Sequence, residues 1–511
     1  MSFLNFKCPR SLYNLCIEVF VSVLKNVEEP AKRSTLVQKL APSILEDVML
    51  FATWNTRSWS QDWSSLLTAS IRAAVVPYQR DILQNLKNQC KALRQILFLP
   101  TSDPLDVDVV LSLPKHVISV DFNGDYFHRS RTLASHLLLQ SLGEEESSSW
   151  LIEAESVLRS MLTLRQKIPD YIFDNKYQSI TELHLSTVKV SVSDIQKLFT
   201  SFPKLKYLRH YQLTAALYEL HVEDWKQNLP LPAYKLKNLD ADFSYVVRSQ
   251  WTPRRSLPVD AFQLATILCP DTNVAKIRFD CSTNHDSISP LINLKKLKEL
   301  SLVRVTDGER CLLDFTDITL LLQKHGKHLI MLELKVIEEV DTHVILESCS
   351  RLEVLILSGC SYRFPEPTCE TSCLTLDSSS EFLTRLQYFF YADGDDFSSD
   401  HSLPQCFWKS LLTPDRSCKN GRKKLRGLFL EAPRISELTA GEIFQSDHIL
   451  PDLQVLSICR YSELLFEQLV SLMSPELVYL KIGQCDQFSA AQIKRLKNLI
   501  SSNNISFFYE K

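Results

Sequence analysis

Leu352-Glu353-Val354-Leu355-Ile356-Leu357 is the stretch that decides how this chain folds. Leucines stand at its first, fourth and sixth places. Successive side chains of an extended strand alternate between its two faces. Leu355 and Leu357 therefore share one face, Ile356 takes the other, and Leu352 turns inward just ahead of the strand. The same spacing, with Ile, Val or Phe substituting, recurs in both directions. Upstream lie Leu329-Leu332-Leu334, Leu297-Leu300-Leu302 and Ile180-Leu183-Leu185. Downstream lie Leu425-Leu428-Leu430, Leu453-Leu456-Ile458 and Leu477-Leu480-Ile482. Weaker copies are Val117-Val120-Phe122, Leu205-Leu208, Leu236-Leu239, Val274-Ile277-Phe279 and Leu386-Phe389. Starts are separated by 23 residues (274 to 297), 32 (297 to 329), 23 (329 to 352), 28 (425 to 453) and 24 (453 to 477).

Between these strands the apolar period changes from two to that of a helix, as in Ile195-Leu198-Phe199, Ile318-Leu321-Leu322 and Leu465-Leu469-Leu472. A strand and a helix in each unit resemble the leucine-rich repeat. Cys360 and Cys485 fall eight residues after the first leucine, where that repeat often carries Asn or Cys. The expected fold is α/β: a leucine-rich-repeat solenoid, with its parallel sheet bent into a horseshoe and helices outside. A small helical region, 1–60, precedes an irregular array over 61–511. Wider gaps predict inserted loops at about 362–380 and 392–424. Residues 129–170 carry a Ser/Glu loop and no clear repeat.

Ten glycines in 511 residues leave no G-x-G turn and no glycine ahead of Lys-Ser or Lys-Thr. Dinucleotide folds and phosphate loops are thereby excluded. Lys+Arg 57 against Asp+Glu 60 gives a formal charge of −3, which argues against nucleic acid or a membrane surface as partner. No apolar run is long enough to span a membrane. Fourteen cysteines without a recognisable signal peptide point to reduced thiols and a cytoplasmic or nuclear setting. Cys369 and Cys373 form a lone C-x3-C pair, and His325 and His328 share a helix end; neither makes a four-ligand zinc set. The basic run Lys419–Arg426 reads as a solvated loop. Neither a metal nor a cofactor is expected, and no motif of a nucleophile or a general base is found.

The first residues follow a different rule. Leu12, Leu15, Cys16, Val19, Phe20, Val23 and Leu24 recur at helical spacing, with Ser11 placed to cap. Ser11-Leu12-Tyr13-Asn14-Leu15-Cys16-Ile17-Glu18-Val19-Phe20 resembles the BC box, Ser/Thr/Pro-Leu-x-x-x-Cys-x-x-x-apolar. Phe20 is larger than the usual closing residue. Ala41-Pro42-Ser43-Ile44-Leu45-Glu46-Asp47-Val48-Met49 is similar to a cullin box, in which Pro opens a helix. That order resembles the leucine-rich-repeat substrate receptors of Elongin BC–cullin 2 ubiquitin ligases, the Zyg and PRAME families among them. The resemblance implies Elongin B/C bound through Leu12, Leu15, Cys16, Val19 and Phe20. It further implies cullin 2 near Pro42, Leu45, Val48 and Met49, and a protein substrate on the repeats. Such a subunit is not itself an enzyme. Two alternatives stay open: an F-box-type adaptor with its box over Leu40–Trp63, and a repeat scaffold whose helical start only caps the array.

The residue between the fourth and sixth motif positions faces away from the leucine core, onto the concave sheet. The row includes Arg209, Arg278, Glu333, Ile356, Phe390 and Phe429, the expected substrate-binding residues. Ile356, Phe390 and Phe429 are consecutive and apolar. They form either a contact surface or a floor beneath an inserted loop.

Overall fold

The computed structural model describes residues 66–76, 79–98, 116–121, 180–185, 190–242, 257, 258, 260–279, 288–304, 314–363, 385–393, 403–412, 425–433, 450–461, 465–485, 488–502 and 505–510, with scattered positions in 19–49 and 110–114. The chain divides into two compact units, Met1–Asp240 and Ala241–Lys511. Each is built the same way, from parallel strands taken in chain order.

In the first unit β1 (Ala73–Val76), β2 (Gln95–Phe98), β3 (Ser119–Asp121), β4 (Glu182–His184) and β5 (Tyr207–Arg209) lie side by side. Every pair is parallel. Among the described residues, three helices follow strands: α1 (Arg80–Gln89), α2 (Val192–Ser201) and α3 (Leu213–Lys226). Ser191 caps α2 by accepting the Asp194 amide at 3.2 Å. β6 (Asn238–Asp242) lies across the boundary. The amide of Asn238 imitates a peptide group: Oδ1 accepts the Leu208 N–H at 2.9 Å and Nδ2 donates to the Leu208 carbonyl at 2.8 Å. A side chain thus fills the place of a strand backbone on β5.

In the second unit the strands are β7 (Val274–Phe279), β8 (Glu299–Arg304), β9 (Met331–Lys335), β10 (Val354–Ser358), β11 (Tyr388–Ala392), β12 (Gly427–Glu431), β13 (Val455–Cys459), β14 (Tyr479–Gly483) and β15 (Ser506–Glu510). All neighbours are again parallel and sequential. The intervening helices are α4 (Ala261–Leu268), α5 (Phe315–His325), α6 (Thr342–Ser348), α7 (Gln405–Leu412), α8 (Phe466–Leu472) and α9 (Ala490–Ser502). Asp314 and Asp317 close a reciprocal capping box on α5. A strand-plus-helix repeat in an all-parallel, chain-ordered sheet is the leucine-rich-repeat fold.

The leucine rows lie where the spacing puts them. Leu300, Leu332, Leu355, Phe389, Leu428, Leu456 and Leu480 pair rung by rung, and all are buried. On this side α7 packs against the sheet. Phe389 meets Phe407 at 5.6 Å and Trp408 edge-on at 6.0 Å, and Tyr391 meets Trp408 at 5.2 Å. Cys360 and Cys485 are buried, and each thiol donates to backbone: Cys360 to the Leu334 carbonyl at 3.4 Å, Cys485 to the Gly483 carbonyl at 3.3 Å.

A turn recurs just past the strands. Val336, Gly359, Ala432, Arg460 and Gln484 all have φ between 47° and 58°. The amide of each of the first four donates to the adjoining repeat, at 2.8, 2.8, 2.9 and 3.0 Å, so the ladder runs one rung further. Only one of the five is glycine. Side chains elsewhere accept a left-handed conformation, at a cost of roughly 1–2 kcal/mol each.

The register corrects one expected repeat. Leu300 pairs with Ala275 and Leu302 with Ile277, so the motif of β7 starts two residues earlier than Val274-Ile277-Phe279. Lys276 occupies the outward row beside Ser301; Arg278 shares that face one step further along, beside Val303. Three strands, β1, β2 and β15, lie outside the repeats expected from the sequence. Leu93-x-x-Ile96-x-Phe98 carries the spacing for β2, with one leucine only.

Candidate functional site

Three surfaces hold the residues singled out by sequence. The first is the amino-terminal helix, of which residues 19–24 are described as helical. Val21 and Leu24 are buried, whereas Val19 is 56% and Val23 45% exposed. Phe20 is half-buried. One turn thus separates two apolar side chains turned to solvent, with the opposite face holding the helix to the chain. Leu12, Leu15, Cys16 and Pro42 lie outside the described residues, as do Trp59 and Trp63. Leu45, Val48 and Met49, expected to face a cullin, are buried at 1%, 0% and 0% exposure and serve as interior contacts of this chain. The same spacing that marks a docking helix marks a core helix, and burial separates the two.

The second surface is the sheet face of the first unit that points away from the leucines. Asp121, His184 and Arg209 are in register on β3, β4 and β5. His184 Nδ1 lies 3.4 Å from Asp121 Oδ2, and the carboxylate is 5% exposed. Arg209 is half-buried, and its Nε is buried without a hydrogen-bond partner. One row over, Gln95, Ser119, Glu182 and Tyr207 pair in turn. The Lys237 ammonium sits over the Tyr207 ring, 5.9 Å from its centroid.

The third surface is the corresponding face of the second unit. Ser301, Glu333, Ile356, Phe390, Phe429, Ser457 and Lys481 form one continuous row. All seven are buried, Ile356 and Phe390 at 1% and Phe429 at 6% exposure. The apolar trio is therefore closed from solvent in this chain, as a floor would be. Phe390 and Phe429 stack at 4.0 Å with their planes 7° apart. Gly427 makes room for them: a Cβ there would stand 2.6 Å from Tyr388 Cδ1 and 2.9 Å from Phe429 Cε2. Buried carboxylates flank the trio. Glu333 accepts from Ser301 Oγ at 2.6 Å and pairs with Lys335 at 2.9 Å. Glu431 pairs with Arg460 at 2.7 Å. Arg460 is one of the left-handed turn residues, so the turn aims its guanidinium back at the preceding strand. Of the expected substrate residues Arg278 is exposed.

Among the described residues no cluster of His, Cys, Asp and Glu could hold a metal, and no helix is long and apolar enough to cross a membrane. Cys369, Cys373 and Cys418, most of the inserts 362–380 and 392–424, the loop 129–170 and most of Lys419–Arg426 lie outside the described residues. Burial pushes the thiol pKa of Cys90 and Cys349 up to about 12, and that of Cys360 and Cys459 to about 11. These are inert interior thiols.

No protein-family model matches the chain, and no curated protein matches it. Solved structures do. One is the yeast complex of Rad7 and Elc1, at 13% identity over 96% of this chain and 90% of that one, with a TM-score of 0.39. Another is the TLR13–ssRNA13 complex, at 14% identity over 81% of this chain and 45% of that one, with a TM-score of 0.27.

Proposed function

We propose that this chain is the substrate-recognition subunit of a cullin-RING ubiquitin ligase. It binds Elongin C through its amino-terminal helix and holds a target protein on the sheet faces of its repeats. The observation that carries this is the outward pair Val19 and Val23. A helix packed only as a cap would bury its apolar stripe. Here part of that stripe is left open, and in the sequence it is continuous at helical spacing with Leu12 and Cys16. An amphipathic helix presenting such anchors fits a partner's apolar groove. The cullin contact rests on Pro42 and its exposed neighbour Ala41, since Leu45, Val48 and Met49 are spent inside the chain. The chain supplies no chemistry of its own in this role; ubiquitin transfer belongs to its partners.

Co-purification of the full chain with Elongin B and C tests the proposal. Capture is expected from wild type and lost in the Leu12→Ser, Cys16→Phe double variant. Retained capture in the double variant, or capture of Skp1 instead, overturns it. A Val19→Asp variant extends the test to a side chain known to be exposed.

A further inference from the structure

We propose that β15 is an association surface where two copies of this chain join, edge to edge and antiparallel, about a two-fold axis at Phe508. The pairing is independent of the ligase role. The ten-stranded sheet of the second unit ends on β15, and among the described residues β14 is its one strand neighbour. An end strand presents a row of backbone donors and acceptors on its outer side, and folded chains blunt such edges with Pro, with charge or with a bulge. Ser506-Phe507-Phe508-Tyr509 holds no Pro and no charged residue. β15 keeps register with β14 from Ser506 to Glu510, without a bulge.

The core is open at the same place. Phe507 pairs with Leu480 and Tyr509 with Ile482, so both stand in the leucine row. Leu456, Ile458, Leu480 and Ile482 of that row are 0% exposed, whereas Phe507 and Tyr509 are half-buried. Their rings lie side by side, with centroids 6.4 Å apart and planes 21° from parallel. The end strand of the first unit differs. On β1 the same row is held by Ala74 and Val76, at 2% and 0% exposure. A solenoid end calls for a cover over its core. β1 has that cover within its own chain, and β15 has only part of one.

The two features together select the occupant. A backbone row takes up a strand, and an open leucine row takes up apolar side chains on the core side of that strand. A second β15 supplies both. Residues directly opposite in an antiparallel pair share one face. The cores of two copies therefore stay on the same side only where odd-numbered residues meet odd and even meet even. Of those registers, the one centred on Phe508 pairs all five residues of the strand. Phe507 then stands opposite Tyr509 of the second copy, and Tyr509 opposite its Phe507, as two aromatic cross-strand pairs. Glu510 falls opposite Ser506, so no like charges meet. Five residues a side make a small interface, and small interfaces are transient. Association is therefore concentration-dependent.

Sedimentation velocity of the full chain over a concentration series tests this. Wild type is expected to pass from monomer to dimer and stop there, because an isologous contact closes on itself. Phe508→Lys and Phe508→Glu each set like charges against each other at the axis, and each should weaken self-association by about tenfold or more. Mixed in equal amounts, the two variants should pair with each other at least as tightly as wild type does with itself. That recovery, with thermal melts matching wild type, separates loss of pairing from loss of fold. Folded wild type that stays monomeric throughout overturns the proposal and leaves the edge to a strand of another protein. Self-association of wild-type strength in both variants overturns it too, as does a mixture that stays monomeric or a wild type that grows past the dimer.

Discussion

The two sheet faces use one motif position for opposite ends. In the first unit the outward row holds Asp121 and His184, which pair with each other, and the half-buried Arg209. In the second it holds Ile356, Phe390 and Phe429, packed to near-zero exposure and flanked by carboxylates already paired. The leucine positions are alike in both. A repeat fold fixes which residues face outward and leaves their chemistry free, so one face can be packed with aromatic rings while the other carries ionisable groups.

The sharpest way to break this contrast is to truncate one residue on each face. Phe390→Ala removes a buried, stacked ring and should cost about 3–5 kcal/mol, read from urea unfolding. A loss under about 1 kcal/mol would mean that the face is not a packed interior. Next comes Arg460→Met, which leaves Glu431 buried without its ion pair. A cost of roughly 3 kcal/mol is expected, and Glu431→Gln in the same background should recover part of it. Gly427→Ala forces Tyr388 and Phe429 apart and should cost about 1–3 kcal/mol, with the Phe390 stack disturbed in near-ultraviolet dichroism. Arg209→Ala completes the series at the small end: it breaks no ion pair and trims a half-buried stem, so a cost of about 1 kcal/mol or less is expected from the same urea unfolding.

Alkaline pH sharpens the same comparison. The native thiols of Cys90, Cys349, Cys360 and Cys459 stay protonated to about pH 11–12 because burial disfavours the thiolate. Unfolded thiols begin to ionise near pH 8.5. The native state then binds more protons than the unfolded one, so stability falls as pH rises from about 8.5 toward the native values. Three of these four thiols belong to the second unit, which should therefore lose more. Urea midpoints at pH 7 and pH 10, with and without the Cys360→Ala and Cys459→Ala changes, measure it.

Several things were legible before any coordinates. Leu329, Leu332 and Leu334, and their counterparts through Leu477, Leu480 and Ile482, predicted both strand and face, because alternation along a strand is local geometry. The thiols of Cys360 and Cys485 were placed by the same count. β2 was legible by the same rule, since Leu93, Ile96 and Phe98 carry the spacing with substitutions the other repeats also use. β7 was shifted by two residues because Val274, Ala275, Ile277 and Phe279 are all apolar enough to satisfy either register. The helical spacing of Leu45, Val48 and Met49 fitted a docking face and a core face equally.

By itself, then, the sequence determined the repeat, the alternation of its strands and the row of residues that faces away from the leucines. Those follow from bonds and steric rules acting over a few residues. Only the tertiary structure decided which members of that row are open and which are closed. Exposure depends on what the neighbouring strands and turns bring alongside, as Gly427 does for Phe429 and Arg460 for Glu431. Arg460 lies twenty-nine residues beyond Glu431, and Phe429 thirty-nine beyond the Phe390 it stacks on, distances that no pattern within one strand spans.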